Sequence, residues 1–86
     1  VKSTEEELIT FIGWEFLADQ LEMTLTPDTR LLDEGIVDSV GVLHLVQFIE
    51  QQFQIVVPYE DLLPRNFGSV SLLAKYITSR RSRGHD

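Results

Sequence analysis

Residues 39–53, SVGVLHLVQFIEQQF, constrain the fold more than any other stretch. At about 100° per residue, Val42, Leu45, Val46, Ile49 and Phe53 fall on a single stripe. A strand alternates every second residue and cannot produce that spacing, so the stretch reads as a helix with one face to bury. The only β-like run is FQIVVP, with Ile55, Val56 and Val57. A lone strand has no pairing partner, so this run reads as an extended linker. The helix must then bury its stripe against other helices.

Those helices are visible on either side. A first one begins near Ser3 or Thr4, where Thr4-Glu5-Glu6-Glu7 has the form of a capping box. Three glutamates in that first turn suit the positive end of the helix dipole. Leu8, Ile9, Ile12 and Phe16 recur at helical spacing, Trp14, Leu17 and Leu21 widen the apolar face, and the pattern fades after about Leu21. Residues 22–38 carry no sustained period and are punctuated by Pro27 and Gly35. This long loop has apolar anchors at Leu25, Leu31, Leu32, Ile36 and Val37, so it is expected to pack across the domain. Pro58 is placed to open a short helix, PYEDLL, as a first helical residue, and Pro64 to end it. Ser69 caps a last helix whose inner side holds Val70, Leu73, Ala74 and Ile77. The expected fold is all-α: a small bundle of three main helices plus one short helix, with a long loop between helices one and two. Residues 1–79 form the domain. Residues 80–86, with Arg80, Arg81 and Arg83, are expected to be a basic, flexible tail on a frayed helix end.

Charge and composition remove whole classes of function. The chain has 86 residues, 14 acidic against 7 basic, for a net charge of −7. That field repels nucleic-acid backbones and anionic membranes and attracts basic partners. With no cysteine there is no disulfide, thiolate zinc site or cysteine nucleophile, which fits a cytoplasmic protein. No apolar run is long enough to span a membrane, and no signal peptide is visible. The first residue is Val1 rather than methionine, as expected of a processed, trimmed or excised chain. A calcium loop centred on Gly35 would place Arg30 and Leu32 where carboxylates belong, and a zinc site lacks ligands. No metal is expected, and a monomer is.

Two residues compete to start the second helix. Asp38 and Ser39 are both strong N-cap types, but only one can be the cap. If Ser39 caps, its hydroxyl is consumed locally. If Asp38 caps, Ser39 is the first helical residue and its hydroxyl points outward, where an attached phosphate would meet the positive end of the dipole. Val40 and Leu43 lie off the buried stripe, near Ser39 and alongside His44, Gln47 and Gln51. Either the long loop covers them or they border a partner contact. A serine hydrolase reading fails: Ser39 and His44 are about 140° apart round one helix, His85 lies in the expected tail, and there is no Gly-x-Ser-x-Gly elbow. No residue is assigned a catalytic role.

The tract LLDEGIVDSVGVLHLVQFIEQQFQIVVPYEDLLPRNFGSVSLLAKYI resembles the acyl carrier and peptidyl carrier protein family. The likeness includes the Asp38-Ser39 pair opening helix two, the spacing on to Phe53 and Pro58, Asn66-Phe67 and the last helix. In that family the motif is usually Asp-Ser-Leu preceded by a glycine; here Val40 stands in the leucine place and Gly35 lies one residue further upstream than in many members. The resemblance implies that a phosphopantetheinyl transferase, with magnesium, moves 4'-phosphopantetheine from coenzyme A onto Ser39. The terminal thiol of that arm would hold an acyl or aminoacyl group as a thioester, so the missing cysteine is supplied by the cofactor. It implies as partners an adenylating ligase or acyltransferase and downstream synthase or tailoring enzymes. The implied partner surface is Val40, Leu43, His44, Gln47 and Glu50, with Asp38 as cap and motif residue. Many fatty-acid carriers have a strongly acidic second helix, whereas here Glu50 stands among His44, Gln47, Gln51 and Gln52. Docking should therefore depend less on charge, and the tract GIVDSVGVLHLVQFIEQQF resembles discrete carriers of specialised metabolism loaded by a stand-alone adenylating ligase. The rival is a helical interaction module that binds its partner without covalent modification.

Overall fold

The computed structural model describes residues 3–17 and 24–83, the last two by backbone alone. Among the described residues four helices follow one another: α1 (Thr4–Phe16), α2 (Ser39–Phe53), α3 (Pro64–Phe67) and α4 (Val70–Arg83), with a 3₁₀ turn at Tyr59–Asp61 between α2 and α3. Among the described residues there is no strand, and no helix is long and apolar enough to cross a membrane. The all-α bundle expected from the sequence is the fold observed.

The helices meet on the residues that the periodicity marked. Leu8 and Ile12 of α1, Leu45, Ile49 and Phe53 of α2, and Val70, Leu73 and Ile77 of α4 are buried together. Leu31 and Val37 from the long loop, Val57 from the linker and Phe67 from α3 complete the core. Val42 and Val46 are half-buried against its edge.

The long loop is held by its own backbone. The Leu31 N–H donates to Gly68 O at 2.9 Å, the Val37 N–H to Leu31 O at 3.0 Å, and the Ser71 N–H to Pro27 O at 2.9 Å. Gly35 adopts φ +71°, a left-handed conformation that glycine enters without steric cost. Leu31 and Val37, with no more than 2% of their surface exposed, thus lock the loop down on both sides of the Gly35 turn. The position of α2's first residue is fixed by that lock.

Several local expectations are corrected. The capping box on α1 is Ser3 with Glu6, one residue earlier than Thr4 with Glu7. Glu7 instead accepts from Gln52 Nε2 of α2 at 2.9 Å, a contact no local pattern announces. Trp14 does not widen the buried face but is 80% exposed, while Leu17 is buried as expected; Leu21 and the fading of the first pattern lie outside the described residues. Pro58 precedes a three-residue 3₁₀ turn rather than opening a helix. Pro64 begins α3 instead of ending an element, because its fixed φ and missing N–H suit a first helical position. Ser69 caps the last helix as expected, its Oγ accepting from the Leu72 N–H at 3.2 Å. That helix continues through Arg83. Arg80 is tied down, donating to Val56 O at 3.0 Å and lying 3.9 Å from the Asp61 carboxylate. His85 and residues 84–86 of the expected tail lie outside the described residues.

Candidate functional site

The competition at the start of α2 is resolved in favour of Asp38. Its backbone is extended (φ −98°, ψ −171°), and its Oδ1 accepts from the Gly41 N–H at 2.7 Å. This is the N-cap geometry, in which a side chain satisfies an amide that the helix leaves without a partner. Ser39 is therefore the first helical residue. It is exposed, and among the described residues nothing hydrogen-bonds to its hydroxyl.

Gly41 is buried beneath this turn, and a Cβ there would stand 2.8 Å from the Phe16 ring and 3.3 Å from a Val37 methyl. The absence of a side chain lets α2 approach the end of α1 and the loop closely.

Around Ser39 the surface is apolar and open. Val40 is 61% and Leu43 59% exposed, so the long loop does not cover them. Ser39 and Leu43 face a groove of about 450 Å³ whose opposite wall is Tyr59, Glu60, Leu62 and Leu63. That wall was missed by sequence reading. Its signal was the pair Leu62-Leu63, since neighbouring leucines in a short turn cannot both point into the core. The wall is anchored from behind: the Tyr76 hydroxyl donates to Asp61 Oδ2 at 2.6 Å. Burial first, and then this hydrogen bond, push the Tyr76 phenol well above its ordinary pKa.

The other residues expected at the partner surface divide. Gln47 is exposed. His44 turns toward α1, where its Nδ1 lies 3.4 Å from Glu15 Oε2, so it is grouped with Glu15 and not with Ser39. Glu50 is half-buried, and its Oε2 accepts from the Val57 N–H at 2.8 Å, bracing the linker. Among the described residues no group of three or more His, Cys, Asp or Glu side chains could hold a metal ion.

Residues 15–77 match the family model described as the phosphopantetheine attachment site. The chain belongs to the phosphopantetheine-binding carrier protein family. It is 31% identical over 58 residues to aminoacyl carrier protein 2 of Bradyrhizobium diazoefficiens, covering 67% of this chain and 64% of that one. It is 28% identical over 81 residues to the probable acyl carrier protein PigG of a Serratia species, covering 94% and 90%. It is 30% identical over 73 residues to a D-alanyl carrier protein of Streptococcus pyogenes, covering 85% and 89%. The prosthetic group of this family is 4'-phosphopantetheine, covalently attached. An exposed serine hydroxyl with no competing hydrogen bond, beside an open, largely apolar groove, fits such a group.

Proposed function

We propose that this carrier takes phosphopantetheine on Ser39 and conveys an acyl or aminoacyl group between biosynthetic enzymes. The observation that carries the proposal is the division of labour at α2's first turn. Asp38 does the capping, which leaves the neighbouring hydroxyl unused and exposed. A phosphodiester on Ser39 would lie at the positive end of α2, near first-turn amides that have no intrahelical acceptor. When bound, the group supplies the thiol on which cargo is held as a thioester.

The chain's own residues position and present that group. Asp38 fixes the first turn, and Leu31 and Val37 fix the loop that leads into it. Val40 and Leu43 offer an apolar landing site to the enzymes that load and unload the arm. Tethering raises the effective concentration of cargo at each successive active site. The chain itself is non-catalytic: it is a substrate of a phosphopantetheinyl transferase and of an adenylating ligase or acyltransferase.

The names of the relatives, acyl, aminoacyl and D-alanyl carriers, support that range of cargo. The surface of α2 supports a carrier of specialised metabolism. Its one acidic residue, Glu50, is engaged with the Val57 N–H, so α2 itself offers a partner little charge and docking should depend less on salt than with a strongly acidic helix.

The test is incubation with coenzyme A, magnesium and a broad-specificity phosphopantetheinyl transferase, read by intact mass. One phosphopantetheine adds to the wild type and none to Ser39→Ala. Leu43→Asp keeps its melting temperature but is loaded more slowly. An unchanged mass for folded wild-type protein would point instead to an unmodified interaction module, and a collapse of Leu43→Asp stability would place Leu43 in the core.

A further inference from the structure

The cleft between α1 and α2 carries apolar surface outside the Ser39 groove, where Phe11 and Phe48 pack against the core on one side and stay partly exposed on the other. Phe11 of α1 stacks on Phe48 of α2, ring centroids 4.0 Å apart and 10° from parallel. On either side of this pair lies an open pocket, of about 400 Å³ beside Glu15 and His44 and about 420 Å³ beside Glu7 and Trp14. Glu7, Phe11 and Trp14 follow one another at i, i+4 and i+7, a second stripe on α1 away from the buried Leu8 and Ile12. On α2 the cleft residue Phe48 is about 140° round the helix from Leu43, with Gln47, which lines the pocket beside Glu15, at the border between this face and the one beside Ser39.

Trp14 is the only tryptophan in the chain, and 80% of it is exposed. Exposed aromatic anchors in pockets with a polar rim are the usual centres of protein interfaces. The rim here has a sign. The residues lining the two pockets include the carboxylates of Glu7 and Glu15 and no lysine or arginine, on a chain of net charge −7. A second copy would bring a further net charge of −7 and the same two carboxylates to the contact, and an anionic membrane or nucleic acid would be repelled. A cationic side chain, in contrast, can add to the side-chain contact each glutamate makes, Glu7 with Gln52 Nε2 and Glu15 with His44 Nδ1, and lie on the Trp14 face.

We infer that the α1–α2 cleft is a second docking surface, and that its occupant is a basic amphipathic protein segment that places an apolar side chain beside Phe11 and Phe48 and an arginine over Trp14. This surface is independent of Ser39 and of the group attached there.

The probe is an amphipathic helical peptide with leucines on one face and flanking arginines, compared with the same peptide carrying glutamate for every arginine. The readouts are Trp14 fluorescence and the NMR signals of the full chain. The arginine peptide is expected to shift Trp14 emission to shorter wavelength and to move the signals of Glu7, Phe11 and Phe48. Trp14→Ala should weaken binding about thirtyfold, as for an interface hot spot, and the double variant Glu7→Gln, Glu15→Gln roughly threefold to tenfold. Ser39→Ala and Leu43→Asp should bind as the wild type does. The inference is overturned by no shift with the arginine peptide, by an equal shift with the glutamate peptide, or by signal changes confined to residues 39–43. It is also overturned if Trp14 emission in the protein alone depends on concentration and sedimentation shows a dimer, since a second copy would then occupy the cleft.

Discussion

Replacing Asp38 and replacing Ser39 should have opposite consequences, although the two are neighbours at one helix end. Asp38→Ala removes the 2.7 Å bond to the Gly41 N–H, and loss of such a cap costs about 1 kcal/mol. It also removes the negative charge nearest the start of α2, whose first turn contains no other acidic residue, for a further 0.3–1 kcal/mol or so. The sum is about 1.5 kcal/mol. In a domain of this size each kcal/mol is worth roughly 4–8 °C, so the melting temperature should fall by about 6–12 °C. Asp38→Asn keeps an acceptor and loses only the charge, so it should fall by about a third as much. Ser39→Ala deletes a hydroxyl that bonds to nothing among the described residues, at an exposed position, and should stay within about 0.5 kcal/mol of wild type. Thermal and urea melts followed by far-UV circular dichroism measure the stabilities, and intact mass after transferase treatment measures modification. Asp38→Ala should be less stable yet still modifiable on long incubation; Ser39→Ala should be stable and unmodified. If Ser39→Ala loses as much stability as Asp38→Ala, the serine is the cap and the separation of roles at this turn is wrong.

Two further outcomes follow from the packing. Gly41→Ala should destabilise by up to about 2 kcal/mol in urea melts, because overpacking against Phe16, Asp38 and Val37 costs about 1–3 kcal/mol against a helix-propensity gain of about 1 kcal/mol; a stabilising result would mean that the Phe16 ring yields freely. Tyr76 keeps its proton in the folded state at a pH where the unfolded chain, with a phenol pKa near 10, has lost it. Its contribution is therefore complete below about pH 10 and declines above it, by at most about 1.4 kcal/mol per pH unit. Urea melts of wild type and Tyr76→Phe should converge as the pH is raised from about 10 to about 12, and a constant difference would remove Asp61 and burial as the cause.

The sequence showed the helices that bury a stripe and misplaced the elements decided by distant contacts. The limits of α2 were legible because Asp38, the apolar period and Phe53 all agree. The first cap was not, because Ser3-x-x-Glu6 and Thr4-x-x-Glu7 are equally good boxes, and Gln52, 45 residues away from Glu7, engages the second glutamate. Glu50 and Arg80 looked like free surface charges. Each reaches a backbone group of the linker, Val57 N–H and Val56 O, which no periodicity could reveal. Trp14 was an avoidable misreading: two residues beyond Ile12 is about 160° round a helix, the side opposite the core.

The same distinction applies to the site. Ser39 could be singled out but not settled, because the sequence offers two cap residues and only φ, ψ and one hydrogen bond choose between them. Its groove was hidden, because the far wall comes from a 3₁₀ turn held in place by Tyr76 on α4. A helix face that must mate with the core is written in a local period. A face kept for a partner leaves only a residue of the wrong kind outside that period, as Val40 and Leu43 do beside Ser39 and Trp14 does beside Phe11. These exposed apolar side chains contribute little to the core, and the domain retains them in two separate places, beside Ser39 with Glu60 in the facing wall and beside Phe11 with Glu7 in the rim, which is the pattern that two docking surfaces would leave.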